Sequence, residues 1–568
     1  MKRLFVTLPL ALAFASVLAV PAKRGQWKTV TLADGTEVRV ELRGDEFCHF
    51  WQAEDGRQFV ESAKAGVYEP ADIEAITARA AARRQAVAEG RAKRAMRVRK
   101  APSQAGRAAS AYEGEKKGLI VLVEFADLKF ADDHTPELYN RIANEENFTD
   151  LGFTGSIRDY FKHQSYGTFD LTFDVVGPVA MPNGYAYYGQ NNSSGDDNIS
   201  IVGKMVADAC TMAKEQNPGL DFTQYDWDGD GEVDQVYILY AGHGEASYQQ
   251  DPNTIWPHEF ELIYTNNTVR IDGVTVNTYA CGGELNGYGD LDGIGTLCHE
   301  FSHCLGLMDM YDSQYSGGYG MYAWSLMDQG SYNDNGMTPP EYTAYERMAI
   351  GWLTPTELNA EQVTVSNMPA LGSNNGEGEA YIIYNDGNRN EYYMLENRQT
   401  SGKWDAYVPN SGMLITHVDY NRTAWTYNVV NSTGGQQMYG IYPAHERCTP
   451  IQADANSWMN TPSGDVWPRG GLTGLTNTSK PAAEVYNKNT DGSYYMNKSV
   501  TAIKKNSDGT MSFKFTNNNG TSGIDNAVVG DAGNGFDPDA PVYNLNGQRV
   551  SRSAKGILIQ DGRKFVRK

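Results

Sequence analysis

Residues 299–309 read HEFSHCLGLMD. On a helix, His299 and His303 are four positions apart and share one face, so two neutral imidazoles can clamp one zinc ion from the same side. Glu300 lies about 100° around that helix, where a carboxylate can take a proton from the water a metal activates without itself being a ligand. Ile294, Leu297, Phe301 and Leu305 fall on the opposite face. The segment therefore reads as a core-packed helix whose metal face looks into a cleft. Gly306 ends the helix and lets the chain turn sharply. A hydrolytic zinc site needs a third protein ligand and an open fourth position. Asp309, six residues beyond His303, offers an oxygen there; Asp312 is the rival third ligand, and its alternative role is to stabilise the turn.

Other clusters carry weaker signals. Asp226, Asp228, Asp230 and Asp234 stand at positions one, three, five and nine of a loop resembling an EF-hand, with Gly231 at six. Position twelve is Tyr237 rather than a bidentate glutamate, so calcium competes with a bare Asp-Gly turn. His243, in YAGHGEA, is a candidate oxyanion donor or a structural histidine. His417 reads as a satisfied core histidine, and Trp256-Pro257-His258 as packing rather than cleft lining. Cys298 and Cys304 are too far apart along a helix to bridge. Cys48 matches no thiolate-switch motif, and Cys210, Cys281 and Cys448 leave pairing open.

These side chains must be positioned by a chain of 568 residues, 40% hydrophobic and 21% charged, which is globular composition. At roughly 100–200 residues per domain it holds about three or four domains. Lys2 and Arg3, the apolar run Leu4–Val20 and the small residues Val20-Pro21-Ala22 read as a signal peptide, 1–22, rather than a membrane anchor. Residues 23–116 read as a removable pro-module or, alternatively, an ordinary small domain with a solvated charged helix: short strands over 26–70, a helix over 71–100, and a linker at 101–106. A catalytic domain spans 117–355, opening with a buried strand at 118–125; a helix at 156–163 and strands at 168–176 and 233–241 follow. Alternation over 356–516 predicts a β-rich, sandwich-like domain. A linker, 517–540, and a small module, 541–568, close the chain. The expected class is multidomain α+β.

The net charge of −22 argues against bulk nucleic-acid binding. It is a composite: Arg79 to Arg107 carries +9, leaving −31 for the rest. The basic helix is thus expected to dock on an acidic body and assist latency.

The sequence resembles the immune inhibitor A-like secreted metalloproteases. The resemblance rests on HEFSHCLGLMDMYD, SIRDYFKHQSYGTFDLTFDVVGPV, YAGHGEA, ENRQ and GMLITHVDY, over roughly residues 117–425. It implies a metzincin-like catalytic domain, a mixed sheet plus an active-site helix, with Met327 in a turn beneath the metal. It also implies a secreted or cell-surface zinc endopeptidase made as a zymogen. His299, His303 and an acidic residue would hold zinc, with Glu300 as general base. The 23–116 module resembles the propeptide, an intramolecular inhibitor. Cys304 departs from the polar residue expected there and leaves the metal set intact. The last 25 residues resemble, more weakly, the C-terminal sorting signal of proteins exported by the Bacteroidetes type IX route, and so a means of surface attachment. Protein or peptide substrates follow, with no nucleic acid and no transmembrane anchor. The competing reading is a catalytically silent surface binding protein or adhesin on a protease fold, which has no need of Glu300.

Overall fold

A computed structural model describes residues 20–62, 64–98, 112–192, 197–248, 251–455 and 462–518, with only the backbone for 87–98. It also describes four short strands between 542 and 567. Residues 1–19 of the expected signal peptide, residues 99–111, which include the expected linker at 101–106, and most of the expected 517–540 linker lie outside the described residues.

Five short strands, Trp27–Leu32, Glu37–Asp45, Cys48–Ala53, Gln58–Glu61 and Val67–Pro70, close into a small barrel. Their alternation puts Val30, Val38, Val40, Phe59 and Tyr68 inside. The helix Ile73–Val98 follows. Phe47, Cys48, Ile76 and Ala80 do not belong to the barrel interior; they share a core with Leu119, Val121 and Phe260 of the next sheet. The module is thus packed into the body, and Cys48 serves there as a small apolar side chain.

The central sheet has the order His258–Glu261, Thr278–Leu285, Val236–His243, Gly114–Glu124, Phe169–Ala180. The first pair is antiparallel and the other neighbours are parallel. Both faces are covered, which is why Leu119–Val123 is an unbroken apolar run. Leu119 and Val121 meet Val202, Met205 and Val206 of the helix Ile199–Gln216. Ile120 and Leu122 join Leu297 and Phe301 of the helix Gly295–Cys304, which carries His299 and His303. The helix Ile157–Gln164 is opened by a reciprocal capping box between Ser156 and Asp159.

Beyond residue 355, a five-stranded sheet built around Ala380–Asn385, Asn388–Arg398 and Gly412–Asp419 shares a core with a three-stranded sheet, Gln362–Met368, Met511–Asn517 and Lys498–Lys505. The opposite face of the larger sheet joins a different core. Ile382, Met394 and Leu414, with Trp425, Val429 and Cys448, pack in the same cluster as Met308, Met310, Leu326 and Met327. Residue 355 is therefore a change of pattern and not a break between cores. The molecule is a mixed α and β assembly of several sheets. Among the described residues no helix is long and apolar enough to cross a membrane. None of the six cysteines forms a disulfide, so the open question over Cys210, Cys281 and Cys448 resolves to thiols without a bridge.

Candidate metal centre

The active-site helix starts where Gly295 passes the chain at Ser331: a Cβ there would sit 1.9 Å from the Ser331 carbonyl oxygen. It stops at Gly306, whose φ of +89° is the left-handed turn a β-carbon disfavours. That turn brings Asp309 back over the helix. Asp309 Oδ1 lies 3.2 Å from His299 Nε2 and 3.5 Å from His303 Nε2. Tetrahedral zinc with nitrogen and oxygen ligands holds such atoms about 3.3–3.5 Å apart.

The hydrogen bonding around these groups explains their orientation. His299 Nδ1 is 2.8 Å from the Leu326 carbonyl, and His303 Nδ1 is 2.9 Å from the Leu307 carbonyl. A carbonyl only accepts, so each Nδ1 carries the proton and each neutral ring presents a bare Nε2 lone pair. Two lone pairs and a carboxylate oxygen thus face one another in a buried space. His299 Nε2 and Asp309 Oδ1 have no hydrogen-bond partner. Acceptors converging without a proton between them are unfavourable unless a cation joins them, so this donor set fits zinc.

His299, Glu300 and His303 place ligand atoms within 4.8 Å of one another. Burial pushes the Glu300 carboxyl well above the usual carboxylate range, opposed by a backbone N–H from Val20. The Met327 segment adjoins His299: Leu326 O accepts from its ring, Met310 N donates to the Met327 carbonyl at 2.8 Å, and Met327 is fully buried. Asp312 is turned away into its own loop, accepting from Gln314 N, Ser316 Oγ and Gly318 N.

The cleft contains a segment the sequence gave no reason to place there. Val20 N donates to Glu300 Oε1 at 2.7 Å, and the Trp256 indole donates to the Val20 carbonyl at 3.0 Å. Tyr332 Oη donates to Pro21 O at 2.8 Å, Gln329 Nε2 to Ala22 O at 3.2 Å, and Lys23 N to Ala246 O at 2.8 Å. Val20, Pro21 and Ala22 are buried. Trp256 is fully buried, packs with Val20, Ala22 and Leu42 and stacks on His49 of the barrel, the packing role expected from sequence.

The remaining candidates fall elsewhere. His243 hydrogen-bonds the Asn286 carbonyl at 2.8 Å and stacks on Tyr248, as a structural histidine does. His417 pairs with Glu391 at 2.9 Å, as a satisfied histidine should. Asp226, Asp228 and Asp230 converge at the surface. Asp234 turns inward to accept from Trp227 N, and burial lifts its carboxyl to about 7. Burial likewise lifts Asp230 to about 6, helped by its acidic neighbours. Tyr237 lies buried in the central sheet and closes no shell.

Residues 107–353 match the immune inhibitor A peptidase M6 catalytic domain. Over this segment the chain is similar to that family of metallopeptidases. A protein named immune inhibitor A, from Bacillus thuringiensis subsp. alesti, is 28% identical over 301 residues, covering 44% of this chain and 43% of the relative. The pre-pro-metalloprotease PrtV of Vibrio cholerae serotype O1 (strain M66-2) is 29% identical over 299 residues, 45% of this chain and 32% of the relative. The aligned region spans less than half the length of either relative. The M6 segment contains the whole HEFSHCLGLMD helix and turn.

Proposed function

We propose that the chain is a secreted zinc endopeptidase made as a zymogen, with His299, His303 and Asp309 as the metal ligands and Glu300 as general base. The observation that carries this is the convergence of two bare imidazole nitrogens and one carboxylate oxygen at tetrahedral spacing, one helical residue from a buried carboxylate. When bound, zinc supplies Lewis acidity, polarising a scissile carbonyl and lowering the pKa of water. Glu300 would accept a water proton on its carboxylate and return it to the leaving amine. Leu326 and Leu307 hold the imidazole rings so that each Nε2 stays unprotonated.

Latency is part of the same reading. In the cleft, Val20–Lys23 occupies Glu300, Trp256, Gln329 and Tyr332, groups that a substrate chain would need. These contacts are hydrogen bonds between the backbone of Val20–Ala22 and polar side chains. Any ionic docking by the basic helix would add to them rather than replace them.

A second ion is proposed at Asp226, Asp228 and Asp230, where calcium would offset the mutual repulsion of the carboxylates. Secretion is proposed on a leader cut before Val20, which keeps Val20–Lys23 with the pro-module, and surface attachment on residues 541–568. Treatment of the processed chain with a metal chelator should abolish casein cleavage, and zinc alone should restore it. Cleavage that survives chelation would overturn the reading. In the same titration, calcium at about 100 times its dissociation constant should stabilise the fold by about 2.7 kcal/mol, read as a rise in Tm. An unchanged Tm would remove calcium from the account.

A further inference from the structure

The carboxylate that faces the two histidines is held by a residue from outside the matched catalytic segment. Asn428 lies 75 residues beyond the end of that segment. Its side chain meets Asp309 with both amide atoms: Nδ2 donates to Asp309 Oδ2 at 2.5 Å, and Oδ1 accepts from Asp309 N at 3.0 Å. Backbone N–H only donates and a carboxylate only accepts, so the partners fix which way the amide points. With Oδ2 tied to Asn428, Oδ1 alone is turned to His299 and His303.

Asn428 is itself rigidly seated. It is 2% exposed, and its φ is +50°, a conformation asparagine tolerates better than most residues. Its N–H donates to the Trp425 carbonyl at 3.1 Å, and Ser313 Oγ donates to its own carbonyl at 2.6 Å. Val429 and Val430, which follow, are buried in the core shared with Met308 and Met310. The loop therefore cannot drift away from Asp309 without opening that core.

We propose that Asn428 is a positioning residue for the metal centre. It selects which Asp309 oxygen faces the metal and fixes that oxygen before the metal arrives. The inference rests on the zinc reading above. It adds that the region after 355 completes the site. Partners that orient a metal ligand are typically worth about 10–100-fold in metal affinity.

The test is zinc affinity of the full-length protein, measured by competition with a chromogenic chelator. Asn428→Gly removes the amide while suiting the positive φ, and Asn428→Asp keeps the acceptor for Asp309 N but loses the donor. Both variants should bind zinc about 10–100-fold more weakly, and cobalt loaded in place of zinc should give an altered visible spectrum. Asn397→Ala serves as the control, because Asn397 also makes two backbone-directed bonds, to Met368 O and Gly509 O, away from the metal centre. It should lower Tm and leave zinc affinity unchanged. If either folded Asn428 variant binds zinc within about twofold of wild type, Asn428 has a structural role only. Wild-type protein that takes up no zinc would overturn the underlying reading, and the positioning role with it.

Discussion

Replacing Glu300 by glutamine should reduce peptide cleavage by the processed chain by about 10²–10⁴-fold while leaving bound zinc in place. The amide keeps the size of the side chain but cannot accept a proton. Glu300 is buried on the helix Gly295–Cys304 and lies beside the two histidines, with Asp309 as the proposed third ligand. Turnover should therefore fall far more than zinc content. The measurement is kcat on casein or a fluorogenic peptide beside zinc content by mass spectrometry. Near-normal turnover in Glu300→Gln would rule out its role as general base. Loss of zinc together with activity would instead make Glu300 a ligand.

The second large effect concerns the segment in the cleft. Cutting the chain at an engineered protease site within 101–106, and separating the pro-module, should raise activity by at least about 100-fold, because a tethered inhibitor acts at effectively millimolar concentration. Val20 and Ala22 are 0% and 2% exposed, and the Val20 amide already occupies a Glu300 oxygen. The barrel adds aromatic contacts from Phe50 to Tyr315 and from Phe47 to Phe260. A substrate cannot reach Glu300 past these groups. Equal activity before and after the cut and separation would show that the module does not block the site.

Much of the local structure was legible in the sequence. The active-site helix could be read because Leu297 and Phe301 keep the phase of a buried face opposite His299 and His303. The turn at Gly306 follows from the need for a positive φ. The strand at 118–125 announced itself as an apolar run because both faces of the central sheet are covered. The barrel strands showed their alternation for the opposite reason, having one inner face.

Contacts between distant residues were not legible. Val20 and Glu300 are 280 residues apart, and Asp309 and Asn428 are 119 apart. Each contact depends on one residue with no local periodicity to mark it. Trp256 was legible as a packing residue, but its partner, the Val20 carbonyl, was not, because it belongs to a segment read as leader peptide. The boundary at 355 was visible as a change from helical to alternating pattern, yet the core runs straight through it, because a sheet can bury one face against each neighbour. The acidic loop was legible in part: Asp226, Asp228 and Asp230 come together, whereas Asp234 is drawn to the Trp227 N–H.

The central claim is that His299, His303 and Asp309 together hold zinc. Its most direct test is the zinc content of purified full-length protein in three forms: wild type, Asp309→Ala and Asp312→Ala. The account predicts one zinc per chain in wild type and in Asp312→Ala, whose carboxylate only braces its own loop. It predicts a strongly depleted Asp309→Ala. Full zinc in Asp309→Ala, or depletion in Asp312→Ala instead, would contradict it.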